Sequence, residues 1–204
     1  TSIAADVFRR RDWKAIFDIS YEDVQWVATG EWLTKESWEK YAKEEPAGAV
    51  NHHYVKESWM ETALKWPRMM VSTDAIPAVD TRIATNPNVA GTFARVLGHY
   101  VRDRQLFGLS EALAKMSLYQ AQWMEQASPV FKRKGRLQIG ADADIVIFDA
   151  TNVAANADYG DPYQPSSGIQ HVLVAGQHVV KDGIRIEGIS PGKKILGNLT
   201  SSAD

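Results

Sequence analysis

KGRLQIGADADIVIFD, residues 134–149, carries the clearest structural signal in this chain. Gly140 supplies the backbone freedom that a tight reversal needs. The four residues after Asp144 are all apolar, and a short apolar run beside turn residues is typical of a strand buried on both faces. The residues alone therefore predict a strand, a glycine turn and a second strand, an arrangement that an ordinary β-hairpin also satisfies.

The middle of the chain alternates between predicted strands and helices. Residues 49–55 and 69–73 are β-prone, and residues 57–65 between them carry an apolar stripe at helical period. A strand, a helix and a strand in this order predict two parallel neighbouring strands with the helix packed outside. The clearest helix is predicted at residues 93–101, where apolar residues recur at helical spacing.

The two ends of the chain predict different structures. Before residue 49 the sequence predicts a strand that runs into a loop at Gly30, and then a helix over residues 35–44 with Thr34 as its N-cap. After residue 135 it predicts strands separated by turns. These strands are expected at residues 144–148, 171–174, 178–181 and 185–188.

Composition limits the classes of protein to which the chain can belong. It has 204 residues, 45% of them hydrophobic, and seven tryptophans, which is enough for a real core. The net charge of −2 indicates no nucleic-acid partner and no anionic membrane surface. No apolar run approaches the length of a membrane span, and the absence of cysteine excludes disulfides and thiolate metal sites. We therefore expect a cytoplasmic protein.

The spelling of residues 135–149, G-R-L-x-x-G-x-x-A-D-I-V-I-F-D, resembles the signature that closes the barrel of the amidohydrolase superfamily and leads into its small β-sandwich. VSTDA, residues 71–75, resembles the last barrel strand of that superfamily. Three further segments are similar to its N-acyl-D-amino-acid deacylase branch, the D-aminoacylases. They are GTFARVLGHYVRDRQL (residues 91–106), LSEALAKM (residues 109–116) and SGIQHVLVAG (residues 167–176).

This resemblance implies an α/β fold, the C-terminal part of a (β/α)8 TIM-like barrel followed by a small β-sandwich. We expect the last strands and helices of the barrel in residues 1–134, and a sandwich portion with a C-terminal tail in residues 135–204. Whole enzymes of this type begin with sandwich strands and an H-x-H metal motif, and no H-x-H occurs here. The chain is therefore expected to be a C-terminal fragment of a longer protein, from a truncated gene or a cleaved chain.

The activity that the resemblance implies is metal-dependent hydrolysis of a non-peptide amide C–N bond in a small-molecule substrate. Asp74 is the candidate catalytic residue, because (β/α)8 barrels place their active sites at the C-terminal ends of the strands. In the superfamily the matching aspartate contacts the metal, zinc, and shuttles a proton. The other ligands are expected on segments that this chain lacks, so the chain alone is expected neither to bind zinc nor to be active. The local alternative is a loop aspartate that caps the following turn.

Two further residues are candidates for substrate binding. His52 and His53 are adjacent, so on a strand they point to opposite faces, and His53 at the strand's end is placed to line a pocket. The alternative is one core histidine and one exposed histidine. The deacylases usually carry His-Pro-Arg after the aspartate, whereas this chain has Asn-Pro-Asn at residues 86–88. A guanidinium suits a substrate carboxylate, and Arg82 is the candidate substitute.

Two other functions remain open from the sequence. One is a non-catalytic folded module, or one chain of a two-fragment enzyme that is inactive on its own. The other is a sugar-processing barrel with Glu31 and Asp74 as its carboxylate pair, against which the GADADIVIFD segment argues. Because a partial barrel leaves strand edges and an apolar interior uncovered, we expect a homo-oligomer or association with a missing N-terminal part.

Overall fold

The structure, a computed structural model, describes residues 2–75 and 86–197. Within these residues the chain forms two compact units. The first comprises residues 2–64, 73–75, 86–92 and 156–165, and the second residues 65–72, 93–155 and 166–197. The predicted boundary after residue 134 falls inside the second unit, and the division into a barrel part and a sandwich part stays a prediction.

The first unit contains a three-stranded antiparallel sheet. Its strands are β1 (Ser2–Ala4), β2 (Val24–Trp26) and β3 (Ala49–His52), and β3 lies in the centre. Val24 pairs with His52 and Trp26 with Val50, so both neighbours of β3 run against it. The strand predicted at residues 49–55 is therefore present in its first half, but its neighbours differ from the prediction.

Short helices surround this sheet. They are α1 (Ala5–Arg9), α2 (Trp13–Phe17), α3 (Lys35–Glu44) and α4 (Glu57–Lys65), with a 3-10 turn at Tyr21–Asp23. The helices predicted at residues 35–44 and 57–65 are confirmed. Thr34 is the N-cap of α3, because its Oγ1 accepts the N–H of Ser37 at 3.2 Å and its own N–H donates to Ser37 Oγ at 2.9 Å.

Aromatic packing forms the core of the first unit. Trp26 is fully buried and stacks on Tyr41, with 4.8 Å between the ring centroids. Phe8 stacks on Trp13 and meets Trp38 edge to face. Large rings of this kind bury much apolar surface at little cost in side-chain entropy, which makes a core possible in so small a unit.

Residues 69–73, predicted as a strand parallel to β3, form no strand. The N–H of Val71 donates to the carbonyl of Lys115 at 2.9 Å, and its carbonyl accepts from Gln120 Nε2 at 3.0 Å. These partners satisfy backbone groups that a neighbouring strand would otherwise bind. The predicted parallel pair is therefore wrong, and every strand pair among the described residues is antiparallel.

The chain from residue 88 to residue 133 is mostly helical. Its segments are α5 (Asn88–Arg95), a π-helical stretch (Val96–Asp103), α6 (Leu109–Leu113), a second π-helical stretch (Ala114–Leu118), α7 (Tyr119–Met124) and a 3-10 turn (Pro129–Arg133). The helix predicted at residues 93–101 is confirmed across α5 and the first π-helical stretch.

A four-stranded antiparallel meander completes the second unit. The strands follow chain order in the sheet. They are β4 (Ile145–Phe148), β5 (Ile169–Val174), β6 (Gln177–Lys181) and β7 (Ile184–Arg185). All four strands predicted after residue 135 are present, although β7 is shorter than expected.

Two features of residues 134–149 differ from the prediction. Residues 134–139 form no strand, so β4 pairs with β5 rather than with a hairpin partner. Gly140 does adopt a left-handed conformation, with φ of 83°. Secondly, β4 is not buried on both faces, since Val146 is 54% exposed. The reason is its position, because β4 is an edge strand of the meander.

Across the described residues, none of the helices combines the length and the apolar character that crossing a membrane requires.

We predict that Gly48→Ala destabilises the first unit. A Cβ at this position would overlap the Cζ2 and Cη2 atoms of the buried Trp26 ring. Overpacking of this kind costs about 1–3 kcal/mol in the free energy of unfolding. Urea denaturation measures the change, with Gly192→Ala as the control, because nothing lies within 4 Å of a Cβ there. Equal stability of the two variants would contradict this packing.

Candidate functional site

Asp74 lies at a turn in the first unit, and its side chain is exposed. Its φ is 48°, a left-handed conformation that aspartate tolerates better than most residues. The preceding Thr73 Oγ1 accepts the N–H of Ala75 at 3.3 Å, which stabilises the turn. No strand comes immediately before Asp74, so the predicted strand–loop junction is wrong. Its catalytic and metal-binding roles stay predictions.

The structure describes only part of the loop after Asp74. Arg82, predicted to bind a substrate carboxylate, lies outside the described residues, so its role stays a prediction. At the Asn-Pro-Asn segment, Asn86 Oδ1 accepts the N–H of Asn88 at 3.1 Å. The carbonyl of Pro87 accepts the N–H of Gly91 at 2.9 Å, at the first turn of α5. Asn86 therefore shapes the start of a helix.

His53 follows β3 and is half-buried. Its Nε2 lies 2.9 Å from Gln25 Oε1, and Gln25 Nε2 donates to the carbonyl of Gly30 at 3.2 Å. Because the second bond fixes the orientation of the amide, His53 Nε2 carries the hydrogen and donates it. Burial lowers the pKa of His53, so the ring is neutral near pH 7 and its Nδ1 retains a lone pair.

Two aromatic side chains flank His53. The ring of Trp32 lies 4.8 Å from it, and the ring of Tyr159 lies 4.6 Å away and nearly perpendicular. Trp32 is 52% exposed, so this group presents an aromatic face to solvent. We call His53, Trp32 and Tyr159 the aromatic face. Sequence reasoning missed Trp32 and Tyr159, because nothing in their local patterns indicates that the fold brings them together.

His52, the neighbour of His53, belongs to the core. It is 3% exposed, and its ring lies 4.8 Å from that of Trp13 and 5.0 Å from that of Tyr54. Burial among these rings lowers the pKa of His52 to about 4. The alternative in which one histidine of the pair is a core residue therefore holds for His52.

Asp74 and His53, the two candidate residues that the structure describes, are not in direct contact. In the part of the chain that the structure describes, neither a hydrogen bond nor a ring contact links Asp74 with His53. Over the same residues, no group of three or more His, Asp or Glu side chains is placed to hold a metal ion. Glu31, considered as a partner carboxylate for Asp74, instead accepts the hydroxyl of Tyr41 at 2.6 Å. The described residues therefore do not fit a zinc site by themselves.

Comparison with known proteins identifies the family. Residues 18–180 match the sequence model of the Amidohydrolase family. This chain belongs to the amidohydrolases. The match includes Asp74, His53 and the meander strands β4 and β5.

The individual amidohydrolases that the chain resembles include two N-acyl-D-glutamate deacylases and a D-aminoacylase. The chain is 37% identical, over 64% of its length, to an N-acyl-D-glutamate deacylase from Alcaligenes xylosoxydans xylosoxydans. A D-aminoacylase structure concerned with a binuclear metal centre is 32% identical, covers 74% of this chain and gives a TM-score of 0.62. The N-acyl-D-glutamate deacylase of Bordetella bronchiseptica, solved with zinc and a phosphonate inhibitor, is 28% identical, covers 88% of this chain and gives a TM-score of 0.70.

The chain spans only part of these relatives. It covers 25% of the Alcaligenes N-acyl-D-glutamate deacylase, 30% of the D-aminoacylase chain and 37% of the Bordetella chain. Most of the length of each relative therefore has no counterpart in the described structure.

We predict that His52 makes the stability of the fold depend on acid pH. Between pH 6.5 and about 4 the unfolded chain binds a proton that the folded chain excludes. Stability therefore falls as the pH falls through this window and levels off below it. At about 1.4 kcal/mol for each pKa unit, the loss is at most about 3 kcal/mol.

The measurement is the urea midpoint at a series of pH values. His52→Phe should lack this part of the pH dependence. Parallel profiles for wild type and His52→Phe would contradict the buried neutral histidine.

Proposed function

We propose that this chain is the C-terminal part of an enzyme that hydrolyses the amide C–N bond of N-acyl-D-amino acids. The observation that carries the proposal is family membership together with 37% identity to an N-acyl-D-glutamate deacylase. Likeness to D-aminoacylase and to a second N-acyl-D-glutamate deacylase supports the same substrate class. In the whole protein we propose the barrel and sandwich arrangement, divided at residue 134, and a cytoplasmic location.

In this proposal Asp74 is the acid–base residue of the hydrolysis. Its carboxylate is exposed, so a substrate can reach it. Amide hydrolysis needs a base that takes a proton from the attacking water and an acid that returns one to the leaving nitrogen. A single carboxylate can serve both steps in turn.

Zinc is the proposed cofactor of the whole enzyme, on the ground that a relative was solved with zinc. When bound, zinc would polarise the scissile carbonyl as a Lewis acid. Asp74 is the ligand that we propose from this chain. We propose that the remaining ligands come from outside the described residues, and that the chain alone is inactive.

The aromatic face is proposed to contact the substrate. The sequence predicts that His53 binds substrate. Trp32 and Tyr159 pack against His53, and together the three rings form a surface with an apolar character. Such a surface suits the acyl group or an apolar side chain, whereas a substrate carboxylate needs a basic partner. Arg82 remains the proposed partner for that carboxylate.

A second candidate function is a non-catalytic module, or one chain of a two-fragment enzyme. Asn86 favours it, because this side chain shapes a helix start where the deacylases carry a segment with a basic residue. The two candidates differ in whether a longer protein that contains this chain turns over an N-acyl-D-amino acid.

We predict that Asp74→Asn lowers turnover of the longer protein by about 10²–10⁴-fold and leaves its fold intact. Asparagine tolerates the left-handed conformation at this position as aspartate does, so the turn survives. The assay follows release of the free D-amino acid from N-acyl-D-glutamate in the presence of zinc. Asp6→Asn is the matched control, because Asp6 pairs with Arg10 on the surface of α1. Turnover of Asp74→Asn equal to that of the control rules out the catalytic role.

We also propose that this chain associates with the rest of the enzyme in the whole protein, and we predict that the 204-residue chain alone associates with itself. Strand β4 pairs with β5 on one side only among the described residues, and it exposes Val146 and Ile147. Strand edges of this kind pair readily with other chains. Light scattering at low micromolar concentration should give a mass above that of one chain. Val146→Lys, which places a charge on the edge, should reduce this association. A wild-type monomer that melts cooperatively would contradict the prediction.

A further inference from the structure

The first unit contains a cavity lined by side chains from α1, α2 and α3 and from the loops between residues 9 and 21. Its volume is about 410 Å³, and small-molecule sites typically have volumes of about 300–1,000 Å³. Four of the side chains that line it are apolar and buried, namely Phe8, Trp13, Ile19 and Trp38. A lining of this kind suits an apolar ring.

Contacts within the protein hold this apolar lining in place. The indole N–H of Trp13 donates to the carbonyl of Phe8 at 2.7 Å, and the two rings stack with 5.6 Å between their centroids. Trp38 meets Phe8 edge to face, with 5.2 Å between the centroids. Because these contacts fix the rings in the protein without a ligand, binding there costs little side-chain entropy.

Three exposed cationic side chains also line the cavity, those of Arg9, Arg11 and Lys14. Arg9 donates to the carbonyl of Ala42 at 3.0 Å. The guanidinium of Arg11 lies 5.6 Å from the centroid of the Trp13 ring, so it stands beside the apolar lining. Within residues 2–75 and 86–197, neither Arg11 nor Lys14 forms a salt bridge.

The acidic groups near the cavity do not cancel this positive charge. Asp12 lines the cavity, and its Oδ1 accepts the N–H of Ala15 at 3.0 Å as the N-cap of α2. The three cations therefore face one carboxylate in the lining. Glu22 interacts electrostatically with Lys14, but it accepts the hydroxyl of Ser20 and is not part of the lining. An excess of positive charge favours an anion, and a guanidinium binds a carboxylate through two parallel hydrogen bonds.

We propose that this cavity binds a small carboxylate that carries an aromatic ring. The ring packs on the apolar lining, and the carboxylate pairs with Arg11 and Lys14. A neutral ligand with the same ring gains only the apolar contact, and a carboxylate without a ring gains only the ionic one. The inference is independent of the proposed amide hydrolysis, because it concerns binding to residues of α1, α2 and α3.

The test titrates the 204-residue chain with indole-3-acetate and follows the NMR signals of the ligand. Indole-3-acetamide is the control without charge, and acetate is the control without a ring. We expect indole-3-acetate to bind at least about tenfold more tightly than the amide, because an ionised acceptor strengthens the hydrogen bonds to Arg11 and Lys14. It should exceed acetate by at least about tenfold as well, because burial of the ring adds an apolar contribution.

The variant Arg11→Gln should weaken the binding of indole-3-acetate at least about tenfold. Arg10→Gln is the matched control, because it removes the same charge from the neighbouring residue, whose side chain pairs with Asp6 and does not line the cavity. This control should keep the wild-type affinity within about twofold, as expected for an exposed charge without direct contact.

Three outcomes would overturn the inference. They are a wild-type chain that does not bind indole-3-acetate, equal affinities for indole-3-acetate and either control ligand, and equal affinities of Arg11→Gln and Arg10→Gln. If Arg11→Gln does not fold, Lys14→Gln replaces it with the same expected loss, and wild-type affinity in Lys14→Gln then overturns the inference.

Discussion

The hydrogen bonds that Lys115 and Gln120 make to the carbonyls of Trp66 and Val71 determine the path of residues 66–71. A segment with this composition would ordinarily find its partners in a neighbouring strand. Here the helical stretch supplies both partners of Val71, so the segment has no need of a sheet. Asp74, three residues further along the chain, has a left-handed backbone and an exposed carboxylate.

The elements that the sequence predicted correctly are those set by local rules. The cap at Thr34, the apolar spacing of residues 93–101 and the turn-bounded strands of the meander all depend on residues close together in the chain. The strand predicted at residues 69–73 failed because distant partners outweighed a local β preference. The strand predicted at residues 134–139 is absent because this segment has no strand partner among the described residues, and Ile139 is fully exposed there.

The candidate site was less predictable than the fold. The sequence supplies Asp74 and His53 as candidates, and their roles stay predictions. The aromatic face depends on contacts between Trp32, His53 and Tyr159, which lie on separate parts of the chain. No periodic pattern reports such contacts. The pairing of His53 with Gln25, which fixes the tautomer of the imidazole, is equally a product of tertiary structure. The proposed amide hydrolysis comes from the family resemblance, whereas the residues that contact His53 are known only from the fold.

We propose that Asp74 meets the reacting amide in the whole enzyme. The most direct measurement is a crystal structure of the longer protein with a non-hydrolysable N-acyl-D-glutamate analogue. We expect a carboxylate oxygen of Asp74 within hydrogen-bond reach, about 2.6–3.2 Å, of the atom that replaces the scissile nitrogen. An analogue bound in the enzyme with Asp74 turned away from it and paired elsewhere would rule out this role of Asp74.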